Sequence, residues 1–125
     1  MEEEPVGSLL VHITHGPEAP TRAALGFLVA KTAVDEGHEV SLFLAGDAVQ
    51  LVREAVTGSL TGIGTGALSE HVTALVDGGV PIFCSGMSAK ARGMAEEELA
   101  ATGASFAMPA KLVELIFAHD RVLTY

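Results

Sequence analysis

The stretch SLLVHITHGPEAPTRAALGFLVAKTAVDEGHEVSLFL, residues 8–44, decides the fold. It opens on an apolar run, SLLVHIT (8–14), and closes on another, EVSLFL (39–44), and both read as β-strands. Between them a proline-containing loop, His15 to Pro20, leads into a helical stretch. Thr21 is its expected cap, the helix runs to about Asp35, and Leu25, Leu28, Val29 and Ala33 fall on one face. Gly37 stands where a helix ends in a left-handed residue. Two strands joined by one helix through short loops run parallel in a sheet.

The same alternation continues to the other end. After Gly46, Asp47 and Gln50 have capping-box spacing. Ala48, Leu51, Val52, Ala55 and Val56 then set out an amphipathic helix. The glycine-rich run TGSLTGIGTG (57–66) reads as a mobile loop; its GIGTG is no phosphate loop, because it lies between two helices and completes no G-x-G-x-x-G pattern. A helix over about 67–77 turns Leu68, Val72, Leu75 and Val76 inward. Val80 to Cys84 is the third strand, and a helix follows from about Ser88 to Thr102. A short strand at 105–107, a helix over 109–118 begun by Pro109 and a closing strand Arg121–Thr124 complete the chain. The pattern predicts an α/β fold with a mostly parallel sheet and helices on both faces. It forms a single domain over residues 8–125, preceded by a disordered acidic segment at 1–7 with Glu2, Glu3 and Glu4.

Composition narrows the function classes. Apolar residues make up 49% of the 125, aromatics only 5%, and Trp is absent. An Ala-, Val-, Leu- and Ile-rich core suits helices on a sheet better than a β-sandwich. The mean hydropathy, +0.42, is high. Either neighbouring subunits cover apolar surface, or the domain is simply Ala-rich and well buried. The net charge of −9, from 16 acidic and 7 basic residues, argues against nucleic acid and against anionic membrane. No targeting segment is visible, and one cysteine forms no internal disulfide, so the expected location is the cytoplasm.

In an open parallel sheet, ligands bind beyond the carboxyl ends of the strands. That rule selects His15-Gly16, Gly46-Asp47, Cys84-Ser85-Gly86, Met108 and Tyr125. Cys84 is the most informative. A thiolate at a strand end just before a helix gains from the helix N–H groups, and Lys90 and Arg92 on the following turns add positive charge. The competing reading is a buried cysteine acting as a small hydrophobe, with Lys90 and Arg92 as solvated surface charges. His12 and His15 point to opposite faces of a strand, so no metal site is expected. His12 reads as a core or subunit-contact residue, and His119 as a helix C-terminal cap. Ser85 lacks a nucleophile-elbow context, and Glu96-Glu97-Glu98 reads as a solvated helix face.

The block CSGMSAKARGM (84–94), the ending HDRVLTY (119–125) and the opening THGPEAPTRAALGFLVAKTAVDEGHEVSLFLAGDAV (14–49) together resemble the DsrE/DsrF-like (YchN-like) family. The resemblance implies a three-layer α/β/α sandwich with a five-stranded sheet, assembled as trimers or hexamers. Some relatives carry sulfur as a cysteine persulfide and hand it to a partner protein, and Cys84 matches the cysteine of the family's AKARG block. Where some relatives have further cysteines, this chain has Ser85, Met87 and Ser88, so a resolving cysteine is excluded. The expectation is a sulfur carrier with Cys84 as nucleophile, assisted by Lys90 and Arg92. His15, Gly16, Asp47, Ser85 and Gly86 would line the pocket, and no metal or organic cofactor is needed. The rival is a non-enzymatic binding or scaffolding module in which Cys84 is merely packed.

Overall fold

Strand β1 (Ser8–Ile13) alternates its side chains between two environments, as a period of two requires. Val11 and Ile13 enter the larger core, while Leu10 enters a smaller one on the other face. The computed structural model describes residues 6–125. The fraying expected of the acidic start therefore falls, for residues 1–5, outside the described residues. Gly7 is already tied into the fold: its N–H donates to His38 Nδ1 at 3.0 Å and its carbonyl accepts from Glu39 N at 2.9 Å.

Helix α1 (Pro20–Asp35) starts on proline, with Ala19 rather than Thr21 in the capping position. Its inward face differs from the expected one. Ala23, Ala24, Gly26, Phe27 and Ala30 are buried, whereas Leu25 is exposed. The cause is close approach: a Cβ on Gly26 would come within 2.7 Å of Ile13 Cδ1, so small residues let the helix sit down on β1. Gly37 has φ +89°, the left-handed stop expected after this helix.

After β2 (Glu39–Leu44) the expected amphipathic α-helix is absent. Residues Gly46–Val52 form a 3₁₀ helix, and only Glu54–Thr57 makes an α-helical turn, α2. Ala48, Val49, Leu51 and Val52 are nevertheless buried, because spacings of three serve both helix types. Asp47 does not cap the segment but pairs with Arg92. The glycine-rich stretch is an ordered hairpin, β3 (Thr61–Gly62) and β4 (Gly66–Ala67). Ile63 N–H donates to Thr21 Oγ1 at 3.0 Å, and His71 Nε2 lies 2.6 Å from the Thr65 carbonyl, so Thr21 anchors the hairpin instead of capping α1. Helix α3 (Leu68–Asp77) buries Leu68, Val72 and Leu75 as the spacing predicts.

Strand β5 (Ile82–Ser85) runs into α4 (Gly86–Ala91). This helix ends far earlier than expected, because Gly93 takes φ +66°, and Glu96–Leu99 is a separate 3₁₀ turn. Glu98 there is no purely solvated charge; it lies 3.0 Å from Arg53 Nε, though off the hydrogen-bond angle. Strand β6 (Ser105–Ala107), helix α5 (Pro109–Ala118) and strand β7 (Arg121–Thr124) follow. His119 Nδ1 lies 2.6 Å from the Leu115 carbonyl, the expected C-terminal cap of α5.

The main sheet has the order β6-β5-β2-β1-β7, and every pairing is parallel. Right-handed crossovers from β1 through β2 and β5 to β6 step in one direction, which leaves their helices on one face. The last crossover returns past β1, so α5 covers the opposite face, where Leu112 and Leu115 meet Leu10, Phe43 and Phe83. The result is the three-layer α/β/α sandwich, with all carboxyl strand ends on one edge. No helix among the described residues is long and apolar enough to cross a membrane.

Candidate functional site

The carboxyl edge is a continuous chain of contacts that follows the sheet order. At the β6 end, a Cβ on Gly86 would lie 3.9 Å from Met108 Sδ, so Gly86 faces that strand end closely. Ser85 Oγ accepts from Ser88 N at 3.2 Å and caps α4, and Ser88 Oγ in turn accepts from Gly46 N at 2.9 Å. Arg92 donates to Asp47 Oδ1 through Nε at 3.1 Å and Nη2 at 2.9 Å, and to the Ser88 carbonyl at 3.1 Å. Gly16 packs on the Asp47 backbone so closely that a Cβ there would overlap the Asp47 carbonyl. Only glycine fits that crossing of the β1 and β2 loops. Gly16 N–H donates to Glu18 Oε1 at 2.6 Å.

His15 completes the edge. Arg22 Nη1 lies 3.3 Å from its Nε2, and a guanidinium only donates, so Nε2 accepts. The ring proton then sits on Nδ1, facing Thr14 Oγ1 at 3.4 Å, and Thr14 donates onward to the Tyr125 carbonyl at 3.1 Å. The residues predicted from sequence are thus brought to one edge: His15, Gly16, Asp47, Ser85, Gly86 and Arg92. Lys90 is exposed on α4 and joins none of these contacts. Sequence reading passed over Glu18, Arg22 and Ser88. The S-x-x-S spacing of Ser85 and Ser88, the N-cap and N3 positions of a short helix, is the signal that was available.

Cys84 does not lie at the open tip of its strand. It is the third residue of the four in β5, paired in register with Leu44 and Phe106. Its side chain is on the α1–α3–α4 side, in the larger core with Val49, Leu51, Ala89 and Met94, and it is 0% exposed. Burial pushes the thiol up to about 12, and no neighbouring cation offsets that. This corrects the expectation of a lowered pKa. The helix start serves the Ser85 cap, and Arg92 is spent on Asp47. The larger surface hollows open elsewhere, one at the amino ends of β1 and β7 near His38, Asp120 and Arg121, another between Arg53 and Glu97-Glu98.

His12, half-buried on the α5 side, stands edge-on to Phe43 with ring centroids 6.0 Å apart. Its buried Nε2 has no partner, and burial lowers its pKa. Among the described residues, no group of three or more His, Cys, Asp or Glu could hold a metal ion.

Comparison with known proteins agrees with this architecture. The sequence profile of the DsrE/DsrF-like family matches residues 7–125. Among solved structures, the ychN protein from E. coli superposes with a TM-score of 0.76 at 17% identity, covering 96% of this chain and 100% of that one. A conserved protein of unknown function from Bacteroides thetaiotaomicron gives 0.65 at 15% identity, covering 95% of each chain. At such identities the likeness speaks for the fold. No curated protein matches the sequence.

Proposed function

We propose that this chain, which belongs to the DsrE/DsrF-like family, is a cytoplasmic sulfur carrier that holds sulfane sulfur as a persulfide on Cys84. The observation that carries this reading is the position of its single cysteine: on the strand that enters the carboxyl edge, directly before the Ser85-capped helix. In the loading step the Cys84 thiolate attacks the outer sulfur of a donor persulfide. A new S–S bond forms, the donor S–S bond breaks, and the donor leaves as its thiolate, so no oxidant is consumed. Release is the same exchange in reverse, with a thiol of an acceptor protein as the attacking group. The edge residues His15, Gly16, Asp47, Ser85 and Gly86 form the surface that would meet the partner protein and do not ionise the thiol, and Arg92 holds Asp47 in place. Release is the step that separates a carrier from a trap. Loaded protein freed of donor and given a small thiol should return to its unmodified mass, and sulfur that stays on Cys84 under those conditions contradicts the proposal.

The binding-module reading is favoured by one specific observation, the complete burial of the Cys84 side chain. In that reading the edge network holds a ligand and the cysteine is core.

The same reading takes the working form as a homo-oligomer, trimer or hexamer. Supporting it, helix α5 buries only Leu115 while Val113 and Phe117 are 52% and 87% exposed, and all four residues of β7 are exposed. Apolar surface of this extent is unusual on a monomer. Light scattering at micromolar concentration is expected to give a multiple of 12.9 kDa, and a clean monomer mass contradicts it.

A further inference from the structure

We propose that the 3₁₀ segment Gly46–Val52 is a strap closed over Cys84 and latched to α4, and that release of this latch, without global unfolding, is what admits a reagent to the thiol. The inference rests on the carrier reading only for what the strap would admit, a sulfane-sulfur donor. Its physical grounds are separate.

Seven residues is a long run for a 3₁₀ helix, whose hydrogen-bond geometry is poorer than that of an α-helix. The run begins at Gly46, at φ +58°, and is separated from α2 by one extended residue, Arg53. Ala48, Val49, Leu51 and Val52 are buried in the same core as Cys84, and the segment packs on β5 and α4. The side-chain ties to the α4 region are few and polar. Ser88 Oγ holds Gly46 N, Arg92 holds Asp47, and Arg53 Nη2 reaches the Arg92 carbonyl at 2.9 Å. All three are only part-buried, and such contacts are individually weak. Beyond the apolar burial of Ala48, Val49, Leu51 and Val52, the Ser88 and Arg92 ties are what favours the closed strap, so removing them raises its open population.

The test is the alkylation rate of Cys84 by iodoacetamide in the wild type, Asp47→Ala, Ser88→Ala and the double variant. With fast reclosing, the rate follows the open population. Each single change is expected to accelerate labelling about threefold and the pair about tenfold, from the usual worth of one exposed ion pair and one hydrogen bond. Leu115→Ala, which weakens the core on the far face of the sheet, should leave the rate unchanged. Labelling of the wild type should also depend on urea far less steeply than unfolding does. Equal rates in the wild type and double variant, or a urea slope equal to that of unfolding, overturns the strap. Failure of the carrier reading looks different: labelling accelerates in the double variant, yet neither protein takes up sulfane sulfur.

Discussion

At pH 8, Cys84 in the folded chain is expected to alkylate more slowly than an unperturbed cysteine by orders of magnitude. The thiolate is the reactive form, and burial moves the thiol from 9.0 to about 12, three pH units that each cost a factor of ten in thiolate. The logarithm of the rate should rise linearly with pH past 9 with no plateau, whereas the urea-unfolded chain should level off near 9. The sign of the coupled stability follows. A thiol whose folded pKa is raised keeps its proton longer in the folded state. Stability is therefore intact below about pH 9 and falls between 9 and about 12, by at most about 1.4 kcal/mol per pH unit. Cys84→Ala should remove that alkaline loss. Iodoacetamide kinetics across this pH range, with chemical denaturation at pH 8 and 10, check both statements. A rate plateau near pH 7 would mean that the thiolate is stabilised after all.

Phe27→Ala is expected to destabilise the protein by about 3–5 kcal/mol, the usual cost of removing a buried aromatic ring. Phe27 is 1% exposed and is the one large residue among Ala23, Ala24, Gly26 and Ala30 on the inward face of α1. Those neighbours have no side-chain length with which to fill the cavity. The melting temperature should drop by roughly 10–20 °C. Leu28→Ala, one position along and only half-buried, should cost much less. Thermal and urea unfolding of the two variants check the rotation of α1 about its axis. A larger loss at Leu28 than at Phe27 would show that rotation to be wrong.

That helix also shows where sequence reading reached its limit. Its span and its glycine stop were legible from periodicity and Gly37, but its buried face was not. Hydrophobicity chose Leu25 and Leu28, while the closeness of Gly26 to Ile13 chose alanines. The five strands and the edge they share were legible because parallel alternation dictates them. The character of residues 46–56 was not, since Ala48, Leu51 and Val52 fit a 3₁₀ helix as well as an α-helix. The break after α4 carried a signal in Gly93 that the acidic, Ala-rich continuation hid. For Cys84, the strand was found but its end was placed one residue early, at Cys84 instead of Ser85, and the direction of the side chain was not legible. Register with Leu44, which enters the same core, turns its side chain away from the open edge. The contacts of Gly46 with Ser88 and of Asp47 with Arg92 span more than forty residues and leave no local spacing to read.

Whether Cys84 accepts sulfane sulfur is read from intact-protein mass spectrometry after incubation with inorganic polysulfide. One added sulfur atom per chain is expected, gained slowly in the wild type and faster in the Asp47→Ala/Ser88→Ala variant. Reductant should remove it, and Cys84→Ser should never show it. An unchanged mass in both the wild type and the latch variant, with Cys84 open to iodoacetamide in the latter, would contradict the claim and leave the binding module as the better description.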